Sequence, residues 1–258
     1  MEIVLLGSGN VATHLGKAFK MAGLNIAQVW SPTLEHAAEL ADRVAAKAIS
    51  DLSDIDDSAD IYVMAVKDDA IADLAGKLKL ADKLLIHTSG TTDIQALAPA
   101  SSKYGVLYPL QTFSKSKALD FRTVPIAIEG NSDEATDLIR GLADRLSENV
   151  SVLSSEQRKT LHIAAVFACN FENHLFAIGN QLLKEQSLDF NMIRPLIAET
   201  ADKIRLNYPQ DVQTGPAVRN DLLTIQTHIE MLSNKPEWKE IYQRLSQSIV
   251  NLQEQSGA

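Results

Sequence analysis

Gly7-Ser8-Gly9-Asn10-Val11-Ala12 follows an aliphatic run, Glu2 to Leu6, and opens a stretch in which Val11, Leu15, Ala18 and Ala22 recur at three- and four-residue steps. The run reads as a buried strand, and the repeat as one face of a crossover helix that Gly23 ends. A second aliphatic run, Ile26 to Trp30, completes a strand-helix-strand unit. At such a junction the G-x-G-x-x-A spacing has a mechanical meaning. Gly7 permits the tight turn, Gly9 lets the backbone approach a pyrophosphate, and small Ala12 allows close helix-to-strand packing. The amides around Ser8, Asn10 and Val11 then supply donors and the positive end of the helix dipole. A strand-to-helix turn that needs glycine for geometry alone is the plainer reading; the strand before and the amphipathic helix after favour a dinucleotide site.

The end of the second strand speaks to which dinucleotide. An acid there would accept from ribose hydroxyls and repel an added 2′-phosphate. Val29-Trp30-Ser31-Pro32-Thr33 has none. Ser31 and Thr33 offer hydroxyls to a 2′-phosphate, so NADP(H) is expected and NAD is less favoured. The competing reading is a Ser31-Pro32 turn that caps the next helix.

Farther along, Ile61 to Val66, Leu84 to His87, Gly105 to Tyr108, Val124 to Ile128 and Val150 to Leu153 read as further strands, with a helix near Asp133 to Leu146. Everything after reads helical. From Ser155 to Glu185, the residues Leu161, Ala164, Ala168, Phe171, Leu175, Ile178 and Leu182 form an apolar seam along one long helix, which must pack on something substantial. Helices follow near Asn191 to Leu206, Pro216 to Leu232 and Pro236 to Gln253, the last two opening on proline. The expected class is α/β: a mostly parallel, doubly wound sheet over residues 1–154, then an all-helical domain over 155–258 that binds substrate or dimerises.

In open α/β sheets the ligand lies beyond the carboxyl ends of the strands. Val66, Lys67 and Asp68 leave one strand there and are expected beside the cofactor, as is Ser89. Ser89, Gly90, Tyr108, Gln111 and Thr112 are expected to line the substrate pocket. His87 is a candidate acid, since imidazole titrates near neutrality. A buried, hydrogen-bonded structural histidine fits that position equally. On the long helix His162, Asn170, Asn173 and His174 form a polar stripe; the asparagines can orient a carbonyl and the histidines protonate an alkoxide, although helix-helix hydrogen bonding explains them too. Arg219 can clamp an anionic group or pair with Asp221. Cys169, flanked by apolar residues, reads as core.

A formal charge of −9, from 33 acidic and 24 basic side chains, argues against nucleic acid as a partner. One cysteine excludes an intrachain disulfide and a cysteine-based zinc site, and no metal site is expected. No run reads as a signal peptide or a membrane span, which gives a cytoplasmic expectation.

Taken in order, GSGNVA (7–12), AVKDDAI (65–71), HTSG (87–90), YPLQTF (108–113), AAVFACNFENHL (164–175) and TGPAVRND (214–221) resemble Rossmann-like proteins whose C-terminal half is a domain of unknown function 2520. That family is similar to pyrroline-5-carboxylate reductase, ketopantoate reductase and the β-hydroxyacid dehydrogenases. The resemblance implies an NADP-binding domain, a helical domain similar to that of 6-phosphogluconate dehydrogenase, and homodimers formed through the helices. The β-hydroxyacid dehydrogenases carry a catalytic lysine one turn before an asparagine. Here Asn170 matches the asparagine but Val166 stands in the lysine position, and Tyr108 stands where many relatives have histidine. The expected activity is NADP-dependent reduction of a small polar molecule; a non-catalytic redox sensor and deazaflavin-to-NADP exchange are the alternatives.

Overall fold

A computed structural model describes residues 1–256. The chain opens β1 (Glu2–Leu6), α1 (Asn10–Met21), β2 (Asn25–Trp30), α2 (Leu34–Val44), β3 (Lys47–Ile49), β4 (Ile61–Met64), α3 (Asp68–Lys77), β5 (Leu84–His87) and β6 (Lys103–Pro109). It continues through β7 (Ile126–Gly130), α4 (Asp133–Ala143) and β8 (Val150–Val152). The strands form one sheet in the order β3-β2-β1-β4-β5-β6-β7-β8, parallel except where β7 runs against β6. Residues of β4 and β5 are buried throughout, which is why their sequences are continuous aliphatic runs rather than alternating ones.

Two cores cover the two faces. Ile3, Leu5, Leu15, Phe19, Val63 and Ile139 belong to one, which takes in α1, α2 and α4; Val4, Leu6, Met64, Ile71, Leu85 and Tyr104 belong to the other. Because β1 sits between β2 and β4, the strand order reverses at its carboxyl end, where a crevice opens. Three-residue β3 carries too short a pattern to be read from sequence.

The helices that follow are α5 (Ser155–Ala165), α6 (Glu172–Glu185), α7 (Arg194–Leu206), α8 (Leu222–Met231) and α9 (Pro236–Ser256). Between α5 and α6 the six residues Val166–Phe171 are π-helical. The single regular helix expected over 155–185 is therefore interrupted, and its seven-residue seam is broken by the extra residue that a π turn inserts. The chain divides into two compact units, 1–170 and 171–258, so α5 belongs with the sheet, beyond the point where the strand signal ends near 154.

Two other expectations are corrected. Pro216 does not open a helix: residues 216–220 are turns, and the Asp221 side chain caps α8 by accepting from Thr224 N. Cys169 is exposed, not core, because the π segment contains no buried residue. Within Ser155–Glu185 an 18-residue window has a mean hydropathy of 1.2, enough by length and composition alone to cross a membrane, a property that the apolar face of a helix packed on protein shares. Within the second unit, His228 Nδ1 and Tyr242 Oη lie 2.9 Å apart and join α8 to α9.

Candidate active site

The turn after β1 is shaped by Gly7. Its φ of +126° is left-handed territory, and a Cβ there would stand 2.2 Å from the Ala65 carbonyl oxygen at the end of β4. Gly9 is the N-cap of α1 and no side chain caps that helix, which leaves its first-turn amides free to donate. A Cβ at Gly9 would meet nothing within 4 Å. An anionic group fits this open, amide-lined space, as the diphosphate of a dinucleotide requires.

Beside it, Ser8 Oγ donates to Ser31 Oγ at 3.1 Å, and Ser31 is buried at the end of β2. Thr33, exposed, is the N-cap of α2 but its side chain makes no capping bond. A strap from β6 crosses the first turn of α1 and is fixed there: Asn10 Nδ2 donates to the Phe113 carbonyl at 3.0 Å, and His14 Nε2 to the Ser114 carbonyl at 2.9 Å. Asn10 is thus a clamp for the strap in this structure.

A cavity of about 1000 Å³ runs from this cradle along the strap to α5. Asn10, Val11 and His14 form its cradle end, Gln111, Thr112 and Lys117 its strap wall, and Leu161, Val166, Cys169 and Asn170 its helical wall. Among the described residues no aspartate or glutamate lines it, although the chain carries a net charge of −9. On the wall Tyr108 Oη and His162 Nδ1 are 2.9 Å apart. Gly90 makes that pairing possible, since a Cβ there would lie 2.6 Å from His162 Nδ1 and 2.9 Å from Tyr108 Cζ. Burial, with Asp68 next, raises the Tyr108 pKa against a smaller opposing effect of Arg158, which keeps the phenol protonated near neutrality.

Arg158, one turn before His162, was not singled out in the sequence. It is 1% exposed, ion-paired to Glu129 of β7, and donates from Nε to the Ser89 carbonyl at 3.2 Å and from Nη2 to the Thr92 carbonyl. Glu129 also accepts from Ser155 N at 2.9 Å and Ser155 Oγ at 2.8 Å. This buried network fixes α5 to the loop after β5 and so sets where His162 stands. Arginine in a polar helical turn looks like any solvated cation, so only the neighbouring capping box of Ser154 and Gln157 hinted at an ordered start.

His87 is corrected as a candidate acid. It has no exposed surface, its Nδ1 accepts from Ser89 N at 3.1 Å, and its Nε2 is buried without a well-formed partner. Burial first, then Arg158, pulls its pKa down to about 4, so it is neutral and out of reach of a substrate. Ser89 Oγ accepts from Thr91 N at 3.1 Å and Thr92 N at 2.9 Å; it is buried and holds a turn rather than lining the cavity. Lys67 and Asp68 are exposed after β4, with Val66 partly buried and Asp68 accepting from Thr91 Oγ1 at 2.7 Å. Asn173, His174 and Arg219 are exposed residues of the second unit. Arg219 helps lower the pKa of Asp221, behind the two hydrogen bonds from Thr224.

A reversing parallel sheet, an uncapped helix at its switch point and an adjoining cavity with a phenol-imidazole pair define a Rossmann-type dinucleotide-binding protein. Residues 2–90 match the family described as NADP oxidoreductase coenzyme F420-dependent, and residues 124–249 match Domain of unknown function (DUF2520). A solved structure from Bacteroides fragilis, provisionally named an NADP oxidoreductase, is 42% identical, with 97% of this chain and 98% of that one covered and a TM-score of 0.90. The chain belongs to this family of NADP oxidoreductases, in which a Rossmann domain precedes a DUF2520 domain. The fold is also that of 1-pyrroline-5-carboxylate reductase from Streptococcus pyogenes, at 14% identity, TM-score 0.65 and coverage of 97% and 98%. It is shared as well by a reductive aminase from Aspergillus terreus solved with NADPH and ethyl-5-oxohexanoate, at 16% identity, TM-score 0.68 and coverage of 96% and 94%. No curated protein matches the chain.

Proposed function

We propose that the protein binds NADP(H) with its diphosphate on the first turn of α1 and reduces a carbonyl or imine of a small polar molecule held in the adjoining cavity. When bound, NADPH supplies a hydride to the electrophilic carbon. The chain's own residues cradle, orient and exclude water. One observation carries the reading: Asn10 and Val11, at the uncapped helix start, and Tyr108 and His162 line the same cavity. A cavity of about 1000 Å³ has room for a nicotinamide and a small reactant together. The absence of carboxylates from its wall suits an electron-rich ligand.

Ser31 and Thr33 are the groups proposed to receive the 2′-phosphate, in a segment free of acids. Calorimetry with NADPH and NADH tests this. The wild type is expected to favour NADPH, and Ser31→Asp to lose at least about tenfold in NADPH affinity while NADH changes little, because a carboxylate repels the extra phosphate. Equal losses for both cofactors would remove Ser31 from that role, and no binding of either would end the enzyme reading. The family match over residues 2–90 favours a second reading, in which a reduced deazaflavin is the hydride partner. Mixing NADPH with oxidised deazaflavin and following the flavin absorbance separates the two.

A homodimer through the helical unit, without nucleic acid or membrane as partner, belongs to the same proposal. The single cysteine fits a reducing, cytoplasmic setting.

A further inference from the structure

We infer that Tyr108 is the catalytic acid of this site and that His162 is the positioning and proton-resupply group behind it. The inference rests on the NADP(H)-reductase reading and names the proton donor that reading lacks.

Four observations carry it. Tyr108 Oη and His162 Nδ1 are hydrogen-bonded at 2.9 Å, and both line the cavity. The histidine that seemed better placed, His87, is sealed off from the cavity and neutral. Val166 leaves no lysine amine on the helical wall one turn from Asn170. Finally, the pair is closely confined: even a Cβ at Gly90 would collide with both rings, and Arg158 fixes α5 one turn earlier. A side chain fixed in this way is what general acid catalysis needs, because the proton must sit within hydrogen-bond reach of the reacting atom.

The charges around the phenol set the direction of transfer. Asp68 at the head of α3 acts on Tyr108 to disfavour phenolate, and Arg158 on α5 opposes it. On the flanking strands His87 and Glu129 both stand opposite Val106, His87 neutral and Glu129 ion-paired to Arg158. Across the cavity the other titratable groups are His14, which donates to the strap, Lys117, and the thiol of Cys169 on the helical wall. A phenol kept protonated in this way is an acid, not a base, at neutral pH.

The step balances simply. When the carbon of C=O or C=N has received hydride, the π electron pair remains on oxygen or nitrogen and takes the Tyr108 proton. The phenolate left behind takes a proton from Nδ1–H of His162, and the ring takes a replacement proton from water. Overall, the substrate gains one hydride and one proton, and the cofactor is oxidised by two electrons.

The test uses the full-length protein with pyruvate, 2-oxoglutarate, ethyl 5-oxohexanoate and 1-pyrroline as probes, and Tyr108→Phe, which removes only a hydroxyl. NADPH affinity should be unchanged in the variant, whereas kcat on whichever probe the wild type reduces should fall about 10²- to 10⁴-fold. His162→Asn should lower kcat with KM held, and should move the alkaline limb of the pH profile, which a merely structural role would leave in place. Nitrogen NMR of the cofactor-free protein gives a readout independent of turnover: Tyr108→Phe should shift the His162 Nδ1 resonance through loss of its hydrogen-bond partner. A Tyr108→Phe enzyme with kcat within about twofold of wild type overturns the inference, as does an unmoved Nδ1 resonance. Wild-type protein that binds NADPH but reduces no probe also overturns it while leaving the cofactor assignment standing. Failure of the wild type to bind NADPH removes the underlying reading instead.

Discussion

At the scale of single residues, the structure separates polar side chains that look alike in sequence by what each one faces. His87 and His162 lie on segments of comparable polarity, yet one is sealed behind β5 and the other meets a phenol on a cavity wall. The burial of His87 has a thermodynamic consequence. Its folded-state pKa of about 4 lies below the ordinary histidine value of 6.5, so between those values the unfolded chain binds a proton that the folded chain refuses. Its contribution is therefore complete above pH 6.5 and is lost as pH falls towards 4, amounting to about 3 kcal/mol at roughly 1.4 kcal/mol per unit. His87→Asn keeps an acceptor for Ser89 N but cannot titrate. Urea denaturation across this range should show a shallower decline in stability for the variant; parallel profiles would mean that His87 is not the group responsible. Whether a histidine is buried depends on which loop folds over it, here the Arg158-held turn at Ser89 to Thr92, and that partnership spans more than sixty residues of chain.

Elements were far more legible than sites. The aliphatic runs of β1, β4 and β5 announce themselves because strands buried on both faces admit little else. The helix after Gly9 shows its inward stripe for the same reason. What escaped was local in a different sense: β3 is too short to carry a period, and nothing in the sequence of Val166–Phe171 marks a π turn. The start of α1 is where element and function meet, and Gly9 tests it. Because a Cβ at Gly9 would touch nothing in the protein, Gly9→Val should leave the thermal midpoint within a few degrees of wild type. The same side chain projects into the space left for the diphosphate, so NADPH affinity should fall by at least about a hundredfold, roughly 2.7 kcal/mol. Calorimetry that returned wild-type affinity would move the phosphates away from this helix.

At the scale of the whole chain, the two units differ in how they satisfy the hydrophobic effect. The sheet unit has two closed cores, whereas α6, α7 and α8 contain no buried residue. Two thirds of the exposed large apolar side chains among the described residues lie after residue 170, including Leu175, Leu182, Leu196 and Ile204. Helices with no core of their own are not expected to hold together in water, since burial of apolar surface is what offsets the entropy of ordering them. A protein partner accounts for the apolarity within 155–185 without a bilayer: the same stretch carries the polar His162, Asn170, Asn173 and His174, which a surface against protein accommodates at less cost than lipid does. A second copy of this chain is the partner proposed to cover it, and the expected mass in detergent-free solution is twice 28.2 kDa. Replacing Leu175 and Leu182 with glutamate puts four like charges into a symmetric interface, so the double variant should sediment near 28.2 kDa and lose helical signal at lower temperature than the sheet signal. If the wild type itself sediments at 28.2 kDa, the exposed seam needs another partner; if it pellets with phospholipid vesicles, that partner is a membrane, and the apolar length of 155–185 takes on the meaning that its composition alone allows.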